Sequence, residues 1–320
     1  MSTSFDPLTI GPGSSNRVKP ERLFYAPGVL LDAPDLVAEQ LYHRGRLARS
    51  LAYLHGSGTV SGLKVLFQSA VEPGGTAPAD PENPAETSQT YPDGREARIL
   101  VQPGLAIDRL GRQIEVPGPA CLRLQPWLQE QTAPQLQQAT HPQTGDADTP
   151  ISLVDSPNAI AVGPTNRGIV ADVFIRFQIC EAGGRTPAFG AGNFDSTNAN
   201  VPARLRDGYE LSLVLRPEAT EDLAIKLPAN PWASANNLTE LQQTIFDTWQ
   251  ETTADWDPQN RPEPRAEHTT DQDATAVFLA RLLIVPTEIE TAPTVQVDNY
   301  SREFVYPTGA VARRLDLTPA

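Results

Sequence analysis

One long helix is predicted near the start of the chain. A stripe of apolar residues at helical spacing runs through residues 33–55, and its members are Val37, Leu41, Ala48 and Leu51. Asp32 suits the N-cap position, and Pro34 lies in the first turn, where its missing N–H costs no hydrogen bond. Gly56 is placed to end the helix.

Beyond this helix, β-branched residues and apolar–polar alternation predict about nine strands. The strand predicted at 168–180 is densely apolar, which indicates burial on both faces. Two short helices are also predicted, at 126–131 and about 237–251. The strand segments are 58–67, 98–102, 105–108 paired with 113–116 as a hairpin, 168–180, 209–215, 277–285, 295–297 and 303–306.

Helices and strands do not alternate regularly, which argues against a parallel nucleotide-binding sheet. We therefore expect a mainly β (α+β) fold, with antiparallel sandwich or barrel-like sheets, one long N-terminal helix, short helices, long polar loops at 70–94, 182–203 and 254–272, and extended terminal arms. The predicted units are an N-terminal arm at 1–31, a helix plus β-hairpin domain at 32–131, a linker at 132–167, a β domain with an inserted helix at 168–306, and a C-terminal arm at 307–320.

Composition narrows the choice of partners. The formal net charge of −14 repels phosphate, so nucleic acid is not an expected partner. The sequence contains no leader-like segment and no apolar stretch near the ~20 residues that span a membrane. Cys121 and Cys180 fit no metal spacing and are expected to be reduced core thiols. These features favour a cytoplasmic protein without a cofactor.

Few residues in the sequence have the pattern of a catalytic or metal-binding site. Ser57 lies between two glycines and follows His55, but this arrangement is typical of a tight helix-to-strand corner. Four histidines are scattered, two on the helix and two in loops that look disordered, and no set has metal-ligand spacing: they are His43, His55, His141 and His268. We expect no catalytic, cofactor-binding or metal-binding residues, and hence no enzyme.

Arginines close to aromatic residues at the starts of strands are candidates for a subunit interface, because such pairs often anchor one. The alternative is surface or intrachain pairing, which contributes little to stability. The interface candidates are Arg204, Arg206, Asp207, Tyr209, Arg302 and Phe304.

Four segments together resemble a family of baseplate-associated structural proteins of phage-tail-like contractile injection systems, and the second segment is the most specific. They cover about a third of the chain and occur in the family's order. They are residues 42–65, which contain His55-Gly56-Ser57-Gly58-Thr59; residues 101–116, VQPGLAIDRLGRQIEV; residues 180–181 with 203–211, CE and ARLRDGYEL; and residues 279–282 with 297–302, LARL and VDNYSR.

The resemblance implies a non-catalytic subunit in multiple symmetric copies at the baseplate or at its crown-like extension in the thylakoid-anchored systems of cyanobacteria. Its partners would be other copies and neighbouring baseplate or spike proteins, and membrane contact would come only through the assembled particle. One alternative is a carbohydrate- or surface-binding β module of a fibre or adhesin, with an aromatic platform drawn from Trp232, Trp249 and Trp256. Another is a hydrolase that uses His55, Ser57 and Asp108.

Overall fold

The computed structural model describes residues 22–77, 88–141, 168–187, 200–217, 239–240, 242–243, 264–270, 272–285 and 294–308. Within these ranges the fold is mainly β with antiparallel sheets, as predicted, and the strands form no closed barrel. The predicted arms lie largely outside the described residues, as do the tips of the predicted loops and the three tryptophans proposed as a platform. Of the predicted helix at 237–251, only 239–240 and 242–243 are described, and all four are helical.

The described helices are α1 (Ala33–His55), α2 (Leu124–Glu130) and α3 (Ala133–Gln138). The strands are β1 (Gly58–Gly62), β2 (Val65–Gln68), β3 (Gly75–Ala77), β4 (Gln89–Tyr91), β5 (Arg98–Val101), β6 (Gly104–Ile107), β7 (Gln113–Val116), β8 (Ala120–Arg123), β9 (Thr140–His141), β10 (Gly168–Pro187), β11 (Asn200–Leu215), β12 (Val277–Val285) and β13 (Thr294–Asp298).

These strands form four sheets, and every pairing between them is antiparallel. The largest has the order β11-β10-β12-β13, with β9 paired to the first two residues of β10. Two three-stranded sheets have the orders β1-β6-β7 and β2-β5-β8, and β3 pairs with β4. The predicted hairpin of 105–108 with 113–116 is confirmed as β6 and β7.

A single buried cluster joins the two predicted β units. It combines Ile99 and Ile114 from the smaller sheets with Val173 and Leu282 from the large sheet. A second cluster on the other side of β10 contains Phe174 and is packed around β12. Strand β10 is therefore buried on both faces in its first half, as its apolar density predicts. The two units share this core, while their boundaries as folding units stay a prediction.

The predicted long helix is confirmed over Ala33–His55. The Asp32 side chain accepts a hydrogen bond from the Asp35 backbone N–H, and the Asp35 side chain accepts one from the Asp32 N–H. This reciprocal pair satisfies two amides that a helix start leaves unbonded. The helix stops at Gly56, whose φ of 71° is in the region that favours glycine.

Several predicted boundaries are corrected. The segment 58–67 is two strands rather than one, because the chain turns at Leu63, where φ is 55°. The loop 70–94 contains the β3–β4 hairpin, and the linker predicted from 132 begins with α3 and β9. The predicted strand at 303–306 is only a bridge between Phe304 and Thr59. The short elements β3, β4, α3 and β9 are poor in apolar residues, so local patterning does not reveal them.

Four single-residue expectations are also wrong. His141 and His268 are buried rather than placed in disordered loops. The His141 ring lies 3.1 Å from the Arg216 carbonyl oxygen, and the His268 Nε2 atom lies 3.0 Å from the Ala276 carbonyl oxygen. Cys121 and Cys180 are unpaired, as predicted, but both are exposed and neither is a core thiol.

A C-terminal clasp, which we define as residues 299–305, closes the fold against the strands that follow α1. The Asn299 side chain exchanges two hydrogen bonds of 2.8 Å with the Val65 backbone. The buried Arg302 guanidinium donates to the Leu63 carbonyl oxygen at 2.8 Å. These bonds satisfy backbone groups at the break between β1 and β2, which would otherwise be buried without partners.

Candidate interaction surface

The hairpin of β10 and β11 extends far beyond its sheet. These strands pair from Ala171 with Leu215 out to Pro187 with Asn200, whereas β12 pairs with β10 only as far as Ile175. In the described part of the chain, no third strand pairs with residues 176–187. At about 3.3 Å per residue, this two-stranded ribbon is roughly 40 Å long.

The outer part of the ribbon is open to solvent. Cys180 and Glu181 are exposed on one strand, and residues 203–207 are exposed on the other. A bulge between Ala182 and Arg185 contains two glycines with φ near 75°, which increases the local twist. A two-stranded ribbon is at best marginally stable alone in water, so a partner that covers it would stabilise it.

Helix α1 meets the body of the protein along one narrow side. Its only fully buried residue is Ala48. A Cβ atom on Gly111, in the β6–β7 turn, would lie 1.8 Å from the Ala48 carbonyl oxygen, so helix and turn are in direct backbone contact. A second anchor joins Arg44 to Asp207 of β11 at 3.6 Å. These anchors hold the C-terminal half of the helix beside the ribbon.

Another side of α1 exposes large apolar side chains. Leu36, Leu47 and Leu54 have exposed fractions of 50%, 54% and 77%. The segment before the helix adds Phe24 and Leu30, which are 84% and 93% exposed. Because the three leucines recur on one side of the helix, we regard this side as a candidate interaction surface.

Charge is distributed unevenly over this surface. The chain carries −14 overall, yet arginines are concentrated in the second half of α1 and on the neighbouring part of β11: Arg44, Arg46, Arg49, Arg204 and Arg206. The first half of α1 carries the acids Asp35 and Glu39, and a hydrogen bond to Glu39 raises the pKa of Tyr25. A locally basic region on an acidic protein is suited to an acidic partner surface.

The six predicted interface residues are not all brought together. Arg204, Arg206 and Asp207 are exposed on the ribbon, and Tyr209 is half-buried against the main core. Phe304 lies in the clasp and is partly exposed. Their role at an interface stays a prediction.

Arg302 has an internal position. Its guanidinium donates to the Leu63 and Asn299 carbonyl oxygens at 2.8 Å each. Burial lowers the pKa of Arg302 to about 10, although the nearby Asp298 carboxylate acts in the opposite direction. In this chain Arg302 holds the clasp in place, and its side chain does not reach the ribbon.

A small cavity lies where α1 leads into β1, and both charged side chains and the apolar residues 276–278 line it. Ser57 accepts a hydrogen bond from Arg265 at 2.9 Å and donates to Glu303 at 3.3 Å, while Arg265 also bonds to Glu303 at 2.8 Å. Burial raises the pKa of Glu303, and Arg265 opposes that shift. Small-molecule pockets are usually about 300–1,000 Å³, whereas this cavity, at about 10 Å³, has room for no more than about one water molecule.

The proposed hydrolase residues are not assembled here. Asp108 is buried in an ion pair with Arg112, at 2.6 Å, and His55 is exposed at the end of α1. The Ser57 bonds tie the helix exit to the clasp, and the backbone of Thr59 donates to the Glu303 carbonyl oxygen at 2.9 Å. This geometry agrees with a tight structural corner.

Within the described ranges, no group of three or more histidine, cysteine, aspartate or glutamate side chains could hold a metal ion. None of the helices described is both long and apolar enough to cross a membrane.

Sequence reasoning missed the exposed apolar side of α1 and the length of the ribbon. Leu36, Leu47 and Leu54 are separated by 11 and 7 residues, a spacing that returns to the same side of a helix and could have revealed them. The outer ribbon had no such signal, since Gly183, Gly184 and Pro202 are typical of a loop.

Comparison with protein-family models found no family that matches this chain. A search of curated proteins also found no match.

Proposed function

We propose that this protein is a non-catalytic structural subunit of a contractile injection system, at the baseplate or its extension and in multiple symmetric copies. The observation that carries the proposal is the β10–β11 ribbon. It continues for residues 176–187 beyond the last pairing with β12, and its outer part has little contact with the rest of the described chain. An element of this kind gains stability mainly by covering, or being covered by, a neighbour.

The exposed apolar side of α1 supports the same function. It lies beside the ribbon, because Arg44 on the helix pairs with Asp207 at 3.6 Å. Helix and ribbon therefore lie side by side, and each exposes arginines, while the helix also exposes leucines. Arginine and aromatic side chains are enriched at protein–protein interfaces, whose buried centre is also more apolar than the rest of the surface.

The buried charged groups also support a structural role. Asp172 and Asp108 each bind buried arginines within the chain, and Glu303 binds Arg265. These ion pairs hold strands and turns together, and their partners are protein groups at hydrogen-bonding distance. The placement at a baseplate, and contact with thylakoid membrane only through the particle, come from the resemblance of the four sequence segments.

The proposal is tested by shortening the ribbon at a known register. Glu181 pairs with Leu205, so residues 182–204 can be replaced by Asn-Gly, a two-residue turn that suits antiparallel strands. Because residues 182–184 and 203–204, the removed residues whose burial is described, lie outside both core clusters, we expect the variant to keep its circular dichroism spectrum and thermal midpoint.

The measurement is co-purification with contractile particles from a host that expresses the whole system. We expect the full chain to co-purify and the shortened chain to be lost from particles. A matched control replaces only 187–200 by Asn-Gly, which keeps the pair of Thr186 with Val201 and most of the ribbon. Equal incorporation of the full and the shortened chain, or absence of the full chain from particles, would refute the proposal.

A further inference from the structure

The exposed side of α1 has the spacing of a coiled-coil seam. Starting at Leu36, residues on this side follow one another at intervals of 4, 3, 4, 3 and 4; they are Leu36, Gln40, His43, Leu47, Ser50 and Leu54. Alternating intervals of three and four keep side chains on one side of a helix that packs against a parallel or antiparallel partner. The seam lies roughly 120° around the helix from Ala48, which faces the body of the protein.

Charges flank the seam in an order that favours one orientation. Glu39 and Arg46 lie on the same flank of the seam, about two helical turns apart. A parallel partner would place Glu39 beside Arg44 of the other copy, which already pairs with Asp207 in its own chain, and Arg46 beside Leu51, which carries no charge. An antiparallel partner can place Glu39 beside Arg46 of the other copy, and the two-fold axis repeats the contact.

We propose that α1 pairs with α1 of a second copy, antiparallel and in the register in which facing residue numbers add to 83. This inference rests on the proposed function, because it names one contact between copies of the subunit. Leu36 then faces Leu47 of the partner, and Glu39 lies beside Arg46 of the partner. Gln40 faces His43 of the partner, which forms a polar layer that fixes the register.

The same register accounts for the remaining exposed apolar residues. Leu54 of one copy reaches the segment before the helix of the other, where Val29 and Leu30 are 53% and 93% exposed. A shift by one heptad, to a sum of 90, would place Leu36 against Leu54 but would bring Arg46 beside Arg46, and Arg44 beside Arg44, of the other copy. The register at 83 thus matches apolar with apolar and acid with base.

The contact is small. In this register residues 33–50 of the two helices overlap, which is about 27 Å at 1.5 Å per residue. A contact of this length falls at the low end of stable interfaces, so the dimer should dissociate on dilution and be reinforced by other contacts in an assembly. Sedimentation velocity over a range of concentrations measures this directly.

Disulfide trapping tests the register. The exposed Cys121 and Cys180 are first replaced by serine, and then Gln40→Cys and His43→Cys are made as separate proteins. An equimolar mixture should form a crosslinked heterodimer faster than a mixture of Gln40→Cys with Ser50→Cys, which reports the register at 90. Facing positions bring Cα atoms within the range of roughly 4.4–6.8 Å that a disulfide needs.

A charge reversal tests the contact independently. Glu39→Arg should weaken the dimer at least about tenfold, and Glu39→Arg with Arg46→Glu should restore it, because the pair is re-formed in the opposite sense. Restoration also separates the intermolecular contact from local effects, since Glu39 neighbours Tyr25 and His43 within its own chain.

The outcomes distinguish this inference from the proposed function. A monomer at all concentrations, preferential trapping of the Ser50 pair, or failure of the double reversal would overturn the helix pairing. If ribbon shortening still removes the protein from particles, the structural role stands without it. If the helix pairs as described but the full chain never enters particles, the proposed function fails and the pairing stands.

Discussion

A buried carboxylate on β10 provides the most direct test of how this fold is held together. Asp172 is fully buried and accepts hydrogen bonds from Arg281 on both oxygens, at 2.7 and 2.8 Å. Arg216 approaches the same carboxylate at 3.3 Å, and both guanidinium groups are 0–1% exposed. One carboxylate is therefore the shared counter-ion of two buried guanidinium groups.

The change Asp172→Asn keeps the shape of the side chain but removes its charge. One acceptor oxygen remains, and the new amide N–H₂ points at a guanidinium that also only donates. Removing one member of a buried ion pair costs about 3–5 kcal/mol. Two charge-assisted hydrogen bonds of about 1.5–3 kcal/mol each give a similar figure. We therefore expect the free energy of unfolding to fall by about 3–5 kcal/mol.

A surface pair on the same two strands is the matched control. Arg176 on β10 bonds to Glu210 on β11 at 2.6 Å, but the two side chains are 38% and 47% exposed. Glu210→Gln neutralises this carboxylate in the same way and should cost no more than about 1 kcal/mol, because water screens the pair. Urea denaturation followed by circular dichroism measures both variants, and equal midpoints for Asp172→Asn and Glu210→Gln would refute the reasoning.

Three further predictions follow from single contacts. Gly111→Ala should lower the free energy of unfolding by at least about 2 kcal/mol and expose α1 to proteolysis, because the φ of Gly111 is +76° and the new Cβ would collide with the Ala48 carbonyl. Thermal melts measure this loss, and Gly118→Ala, where a Cβ meets nothing within 4 Å, should leave the melting temperature unchanged. Arg302→Met should free the clasp and speed hydrogen exchange at Val65, whereas unchanged exchange there would contradict the assigned role. Burial lowers the pKa of His268, so the unfolded state binds a proton more readily than the folded state. The free energy of unfolding should therefore fall as the pH decreases below 6.5. Urea titrations at pH 7.5 and 5.5 should show a smaller loss for His268→Gln than for the unchanged protein.

Helices and strands whose signals lie within a few residues can be predicted from the sequence. The helix at Ala33–His55 has a cap residue, a proline in its first turn and a terminating glycine, and all three act within a few residues. The strand Val277–Val285 is recognisable because a run of nine apolar or buried positions ends before a proline. The mainly β, antiparallel class follows from such segments together.

The sequence does not carry features that depend on distant partners. His268 is surrounded by polar residues in the chain, yet its Nδ1 accepts the Arg265 backbone N–H and its ring lies 5.8 Å from that of Phe174. Arg302 is a plausible surface residue by type, but a carbonyl more than 200 positions away holds it inside. The exposed side of α1 was missed for a related reason: its spacing is visible, but the sequence does not show which apolar stripe meets the core.

The C-terminal clasp has a consequence for the order in which the protein matures. Asn299 bonds to Val65 across 234 positions, and the Phe304 bridge reaches back to Thr59. A chain still on the ribosome holds β1 and β2 without this closure until residues 299–305 emerge, so the first strands synthesised are among the last to be locked. Truncated or stalled translation products therefore lack the hydrogen bonds that fix the strands following α1. Only chains that have been synthesised beyond residue 305 would be fully folded when they join a growing assembly.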